Sequence, residues 1–251
     1  MVQKNSAAVA RPNYFLEFLV VFLGVTISFW LSEWNDGRKI EELHKEDVVS
    51  LLEDLERDRL RLEAVRVSAE RGVELIRRVI EVTEAYRYDE IGYQTFSDSL
   101  IDIGYLYGYS TFFMNSATYK SLISSARIQQ FPHQVNKQIR DYYEYVSKRV
   151  EDNNDIVDAI ALRYYNEFHP FCLLVNVDGR DRSVEDRTFF DDAENVRHYS
   201  SAPFYHQTIA LYDRALVHQR QISQYQSIRD SLDGLLRGYA DSLLHKGQLE
   251  D

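Results

Sequence analysis

Apolar residues follow two different patterns along this chain. From Phe18 to Leu31 (FLVVFLGVTISFWL) they run on without a charge or a period, whereas beyond Gly37 they recur at three- and four-residue steps. With Tyr14 and Phe15 before it and Trp34 after it, the first stretch matches the roughly 20 residues needed to cross ~30 Å of hydrocarbon. Tyr14, Trp30 and Trp34 stand where amphipathic rings prefer the lipid headgroups and read as interface anchors. A transmembrane helix is therefore expected over residues 13–35, after a tail at 1–12. Ser32-Glu33-Trp34-Asn35-Asp36 follows it, with bulky and acidic residues where a signal peptide needs small ones, so the span reads as a retained anchor. No second all-round apolar helix exists to enclose it as a core helix.

The second pattern is amphipathic. Val48, Leu52, Leu55, Leu62, Val65, Ala69, Val73, Ile76 and Ile80 form a helical stripe, of the kind coiled coils use, from about Gly37 to Tyr86. Glu53, Asp54, Glu56, Arg57, Asp58 and Arg59 read as a solvated, salt-bridged face opposite that stripe. Nothing stronger than Gly37 separates this helix from the span, so the chain is expected to leave the bilayer as a rod or after a small bend. A further stripe runs from Pro132 to about Phe168 (Val135, Ile139, Tyr142, Val146, Val150, Val157, Ile160, Tyr164). Another runs from Pro203 to about Leu244. Shorter helices are expected near Tyr93–Ile103 and Ser116–Ser125. Residues 176–201 are polar and aperiodic and read as a long connection or a cap.

The fold class that follows is all-α: an N-terminal transmembrane helix continuing into a long helix, then an antiparallel helical bundle domain over residues 36–251. Four prolines and ten glycines are few for a β-rich chain of this length. A net charge of −11 disfavours nucleic acid and anionic surfaces as partners. The single cysteine, Cys172, excludes an internal disulfide and lies in an apolar stretch, so it reads as a buried, inert thiol. The 18 tyrosines read as half-buried packing with the hydroxyl at the rim.

Chemistry is hard to find. No two of the seven histidines have the i, i+4 spacing of a helical zinc motif. His198, His206, Asp213 and His218 are the densest titratable set, but one helix would not turn His206, Asp213 and His218 onto one metal. The acids Asp178, Asp181, Glu185, Asp186, Asp191 and Asp192 lack the order of a calcium loop. No phosphate-cradling loop or nucleophile elbow is present. No catalytic, metal or cofactor-binding residue is assigned, and no cofactor is expected.

The span itself carries the most specific feature. Glu17 lies about 10 Å from a midpoint at Gly24, inside the nominal half-thickness of ~15 Å. It either snorkels to the headgroups or meets a partner helix. Glu17, Val20, Val21, Gly24, Ser28 and Leu31 share one face, and Gly24-x-x-x-Ser28 is a small-x-x-x-small pair that permits close helix approach. Glu17, Val21, Gly24 and Ser28 are taken as the membrane-helix partner face.

Three stretches together resemble a known family. Leu16-Glu17 enters an aliphatic run that exits through Ser32-Glu33-Trp34-Asn35-Asp36, and a charged helix with Leu51, Leu52, Asp54, Leu55 and Asp58 follows. Thr118-Tyr119-Lys120-Ser121-Leu122-Ile123-Ser124-Ser125-Ala126 comes next, then a helix with Asp141-Tyr142-Tyr143. The set resembles an uncharacterised family of bacterial single-pass membrane proteins classed as a domain of unknown function. It covers about the first 150 residues. The resemblance implies an N-terminal anchor and an α-helical domain, and no activity. Leu16 and Ala126 stand where the family has glycine, and alanine does not favour the left-handed cap a glycine would supply.

Topology is weakly marked. Lys4 and Arg11 precede the span and Arg38, Lys39 and Lys45 follow it. The resembled family implies a C-terminal domain outside the cytoplasm, hence a single-pass protein of the bacterial inner membrane with a periplasmic domain. The function expected is a non-enzymatic, membrane-anchored helical module, an accessory or sensor-like subunit. Its partners would be the lipid bilayer and either a second copy or another membrane protein, with no nucleic acid. The alternatives are a bundle that senses a small ligand between its tyrosines and a membrane-tethered hydrolase assembled from the histidines and a carboxylate.

Overall fold

A computed structural model describes residues 14–104, 106, 110–174 and 183–247; within these, the side chains of 14, 16, 17, 173, 174, 183–185, 246 and 247 lie outside the description. Among the described residues every regular element is helical. The chain divides into two units, Met1–Asp47 and Val48–Asp251. Helix α1, Tyr14–Arg87, is a single element. Gly37 does not interrupt it, and a Cβ added there would meet open space.

In the first unit every described side chain from Phe18 to Trp34 is exposed, so none of the apolar run is spent on a core. One helix is thus long and apolar enough to cross a membrane. The hydroxyls within it are satisfied locally, Thr26 on the Phe22 carbonyl and Ser28 on that of Gly24, both at 2.8 Å. Arg38 lies over the Trp34 ring, 5.3 Å from its centroid, which joins a cation to an aromatic anchor.

The second unit has four legs. The first is the remainder of α1. The second, through α2 (Tyr93–Ile103), a non-helical strap described at 110–116 and α3 (Ala117–Ser124), runs back along it. Its bonds step down α1 in order: Arg78 to Asp102 at 2.9 Å, Ser68 to Ser110 at 2.9 Å, Arg61 to the Phe113 carbonyl at 3.3 Å. The third leg is α4 (His133–Arg140), a π turn at Asp141–Val146, α5 (Ser147–Arg163) and a second π turn at Tyr164–Phe168. The fourth is α9, Ala202–Gly247. It is antiparallel to the third: Tyr225 donates to the Arg149 carbonyl (3.1 Å), His218 meets Asn153 (2.9 Å) and Thr208 meets Tyr164 (2.8 Å). It is antiparallel to α1 too, through Arg229 on the Leu55 carbonyl (3.2 Å) and Tyr205 on Glu84 (2.6 Å). The expected bundle is therefore present, with one leg that is only partly helix.

Two apolar cores lie along these legs. One gathers Leu51, Leu55, Leu62, Leu122, Ile139 and Ile222; the other gathers Ile76, Phe96, Leu100, Phe171, Phe190 and Phe204. The outer face of α1 carries self-contained ion groups, with Arg66 between Glu63 and Glu70 and Arg77 between Glu74 and Glu81. Such pairs lie open to solvent and support their own helix only weakly.

Two expectations need correction. Residues 176–201 were read as a connection or a cap; 176–182 lie outside the described residues, and the rest is more regular than expected, with α7 (Ser183–Asp191) and α8 (Ala193–Tyr199). These helices are too short to display a period, and each core anchor stands near a helix end (Phe190 and Tyr199). Asp192, one of the supposed loop acids, caps α8 by accepting from the Glu194 and Asn195 amides. Ala126, where no left-handed cap was expected, has φ 59° and ψ 8° and ends α3 in that conformation all the same. A Cβ costs about 1–2 kcal/mol there. Ala126→Gly is expected to stabilise the domain by about 1 kcal/mol, read as a rise in the urea midpoint at unchanged m-value; a lowered midpoint would contradict the strain.

Candidate functional site

The three stretches that stood out in the sequence meet in one buried cluster. Asp54 and Asp58, one turn apart on α1, are 2% and 0% exposed. This overturns their assignment to a solvated face. They continue the core series Leu51, Leu55, Leu62 at three- and four-residue steps, and the shorter side chain of aspartate beside the glutamates around it was the available signal. Each carboxylate receives donors that nothing else satisfies. Asp54 accepts from the Asn115 side chain at 2.7 Å and from the Thr118 amide at 3.1 Å. Asp58 accepts from the Asn115 amide at 2.9 Å and from the Tyr142 hydroxyl at 3.0 Å.

Asp54 thereby caps α3 from another leg. Ser116, the local cap residue, makes no side-chain bond to the helix. The Thr118 N–H is one of the orphan donors of a first turn, and a carboxylate there also opposes the positive end of the helix dipole. No basic side chain forms an ion pair with Asp58 among the described residues; Arg61 and Arg229 act on it and its surroundings only at longer range. Burial pushes its carboxyl up to about 6, against the hydrogen bonds from Asn115 and Tyr142, which act the other way.

The π turn positions the tyrosines. Its extra residue lets consecutive side chains face inward, so Tyr142 and Tyr143 are both buried. Ser147 N–H reaches the Tyr142 carbonyl, five residues back, which is the signature of the wide turn. Tyr143 stacks on Tyr119 with ring centroids 4.9 Å apart, and its hydroxyl has no partner. Burial raises both Tyr142 and Tyr143 well above the usual phenol range. Tyr119 is pushed up to about 12 by burial and by its bond to Glu144. The second π turn repeats the device with Tyr164 and Tyr165, whose hydroxyls meet Thr208 and the Leu106 carbonyl. The tyrosines therefore tie legs together from inside, where rim hydroxyls were expected.

Such a cluster holds elements in register. Both carboxylates are closed to solvent, so neither meets a substrate in this conformation. A surface cleft of about 310 Å³ is lined by Tyr119, Lys120, Glu144 and Lys148 among others.

The other residues singled out are dispersed. His218 is buried between Asn153 and the Ser110 carbonyl (3.3 Å), His198 Nε2 lies 2.9 Å from the Phe168 carbonyl, and His206 is exposed. Among the described residues no three His, Cys, Asp or Glu side chains are grouped to hold a metal. Cys172 is buried, and burial pushes its thiol up to about 12, which fits an inert residue. On the span, Val21 is 65% exposed and a Cβ added at Gly24 meets nothing within 4 Å. Trp30 and Trp34 are exposed; the side chains of Tyr14 and Glu17 lie outside the described residues.

What the fold defines, among the described residues, is an all-helical protein with one helix long and apolar enough to cross a membrane and a second unit that closes its own cores. No protein-family model, curated protein or solved structure matches it.

Proposed function

We propose that this chain is a membrane-anchored, non-enzymatic helical module that acts by binding, either to a second copy of itself or to another membrane protein. The observation that carries this reading is the exposure of the whole run from Phe18 to Trp34, beside a second unit whose cores need none of it. An apolar surface of that length is stable in hydrocarbon and unstable in water. Its recognition element is the face of Glu17, Val21, Gly24 and Ser28. Ser28 is already bonded to its own helix, so the close approach that Gly24 permits is what this face offers a neighbour. The setting that fits is the bacterial inner membrane, crossed once, with the C-terminal domain in the periplasm.

Gly24→Ile separates binding from folding, because a Cβ added there has nothing within 4 Å to displace. Cysteine-free crosslinking in native membranes is expected to trap a dimer or a heterocomplex with the wild type and several-fold less with Gly24→Ile. Only monomers with both chains, and no copurifying protein, would overturn the proposal. A reporter fused after Asp251 is expected to be active in its periplasmic form; activity only in the cytoplasmic form would reverse the orientation.

A further inference from the structure

We propose that helix α8, with the end of α7, is an acid-released lid that closes over His169 and opens when that imidazole takes up a proton. His169 ends the second π turn, its amide bonded to the Tyr164 carbonyl five residues back at 2.8 Å. Its ring is fully buried inside a box made by Tyr164, Phe171, Tyr199 and Phe204, with centroids 5.5–6.4 Å away. Nδ1 lies 3.1 Å from the Tyr199 hydroxyl, and Nε2 has no partner.

Tyr199 is the only buried residue of α8. Its hydroxyl also accepts the Phe171 amide at 3.2 Å, so the proton it donates goes to His169 Nδ1 and the imidazole is neutral with Nε2 protonated. A second proton would occupy Nδ1, deprive the Tyr199 O–H of its acceptor and place an uncompensated cation in an aromatic box. The titratable groups around His169 are His198 and Tyr199 on α8, Cys172 on α6 (Phe171–Leu174), Tyr164 on its own helix and Tyr93 on α2 beyond Tyr199. α9 contributes Phe204 and no charge. Nothing in this set is a carboxylate, and His198 adds to the penalty. Burial accordingly drives the His169 imidazole down to about 3.

The least costly way to admit the proton is to lift α8, whose other ties are His198 to the Phe168 carbonyl and Tyr86 to Ser200 at 3.1 Å, while Tyr93 on the Phe190 carbonyl (2.8 Å) and Arg187 beside Asp98 (3.9 Å) hinge the end of α7 on α2. Lifting returns His169 to water and uncovers Phe171, Phe190 and Phe204. A depressed folded value means that closure is fully favoured above about 6.5 and is lost progressively as pH falls toward about 3.

Hydrogen exchange on the full chain in detergent micelles tests this at pH 7 and pH 4.5, with intrinsic rates corrected. Peptides covering 186–201 are expected to lose protection by about ten- to a hundredfold at the lower pH. Peptides over 51–62 and 139–150 should keep or gain protection over the same step, because Asp58 in that core responds in the opposite sense. His169→Asn, which keeps an acceptor and does not titrate, should abolish the difference, and Tyr199→Phe should leave the lid poorly protected already at pH 7. No change at 186–201, or an equal loss across both cores, overturns the proposal, and the wild-type comparison decides this even where a variant fails to fold.

Discussion

Replacing Asp54 with alanine is expected to destabilise the domain by about 3 kcal/mol, more than most single substitutions that leave the apolar core intact. Two donors lose their acceptor at once, the Thr118 amide and the Asn115 side chain. Each buried orphan costs about 1–3 kcal/mol, and the first turn of α3 loses its carboxylate cap, keeping only the long bond from the Ala117 amide to the Asn115 side chain at 3.5 Å. Asp54→Asn retains one acceptor and is expected to cost about half as much. Urea unfolding of the full chain in micelles measures both. A loss below about 1 kcal/mol for the alanine variant would mean that water replaces the carboxylate and that the clamp holds little.

Stability is also expected to fall as pH rises from 4 to 7, by about 2 kcal/mol from Asp58 alone. Its folded value lies near 6 and its ordinary value near 3.8. A raised folded value means the contribution is fully present below about 3.8 and is lost as pH climbs through about 6. Asp58→Asn removes that slope while its amide oxygen still accepts the Asn115 N–H. The denaturant midpoint followed over pH 4–7 should therefore be flatter in the variant. Parallel curves for the two chains would show that Asp58 stays solvated. His169 pushes in the opposite direction, so the two cores are expected to differ in which side of neutrality weakens them.

The sequence made the helices legible and the joints between them illegible. α2 lies on the expected Tyr93–Ile103, and α9 and the Pro132–Phe168 leg follow their stripes, because a core facing one side of a helix imposes a period that can be read locally. The strap between α2 and α3 has no period. Its order comes from partners on other legs, among them Ser68, Asn154, which donates to the Phe112 carbonyl at 2.7 Å, and His218. Asp54 and Asp58 were misplaced for a related reason: charge argued for the surface, while the donors that make burial tolerable lie some sixty residues away in sequence or more. The tyrosine pairs Tyr142-Tyr143 and Tyr164-Tyr165 were visible as letters, but a stripe with 3.6-residue phase cannot announce the wide turn that buries both members. The partner face of the span is a proposal from small residues and periodicity, and the openness at Gly24 is what makes it testable.

The ion groups on α1 have a consequence for any second copy that meets that face. Arg66 and Arg77 stand eleven residues apart, three helical turns, each neutralised by one glutamate and overbalanced by a second. A neighbouring copy approaching that face thus finds no unmatched cation to engage and a residual negative charge about every 16 Å. At physiological ionic strength, where screening acts over about 8 Å, this repulsion is faint, and at low salt it keeps parallel copies apart. Were a second copy to meet this face, the contact should form more easily as salt is added.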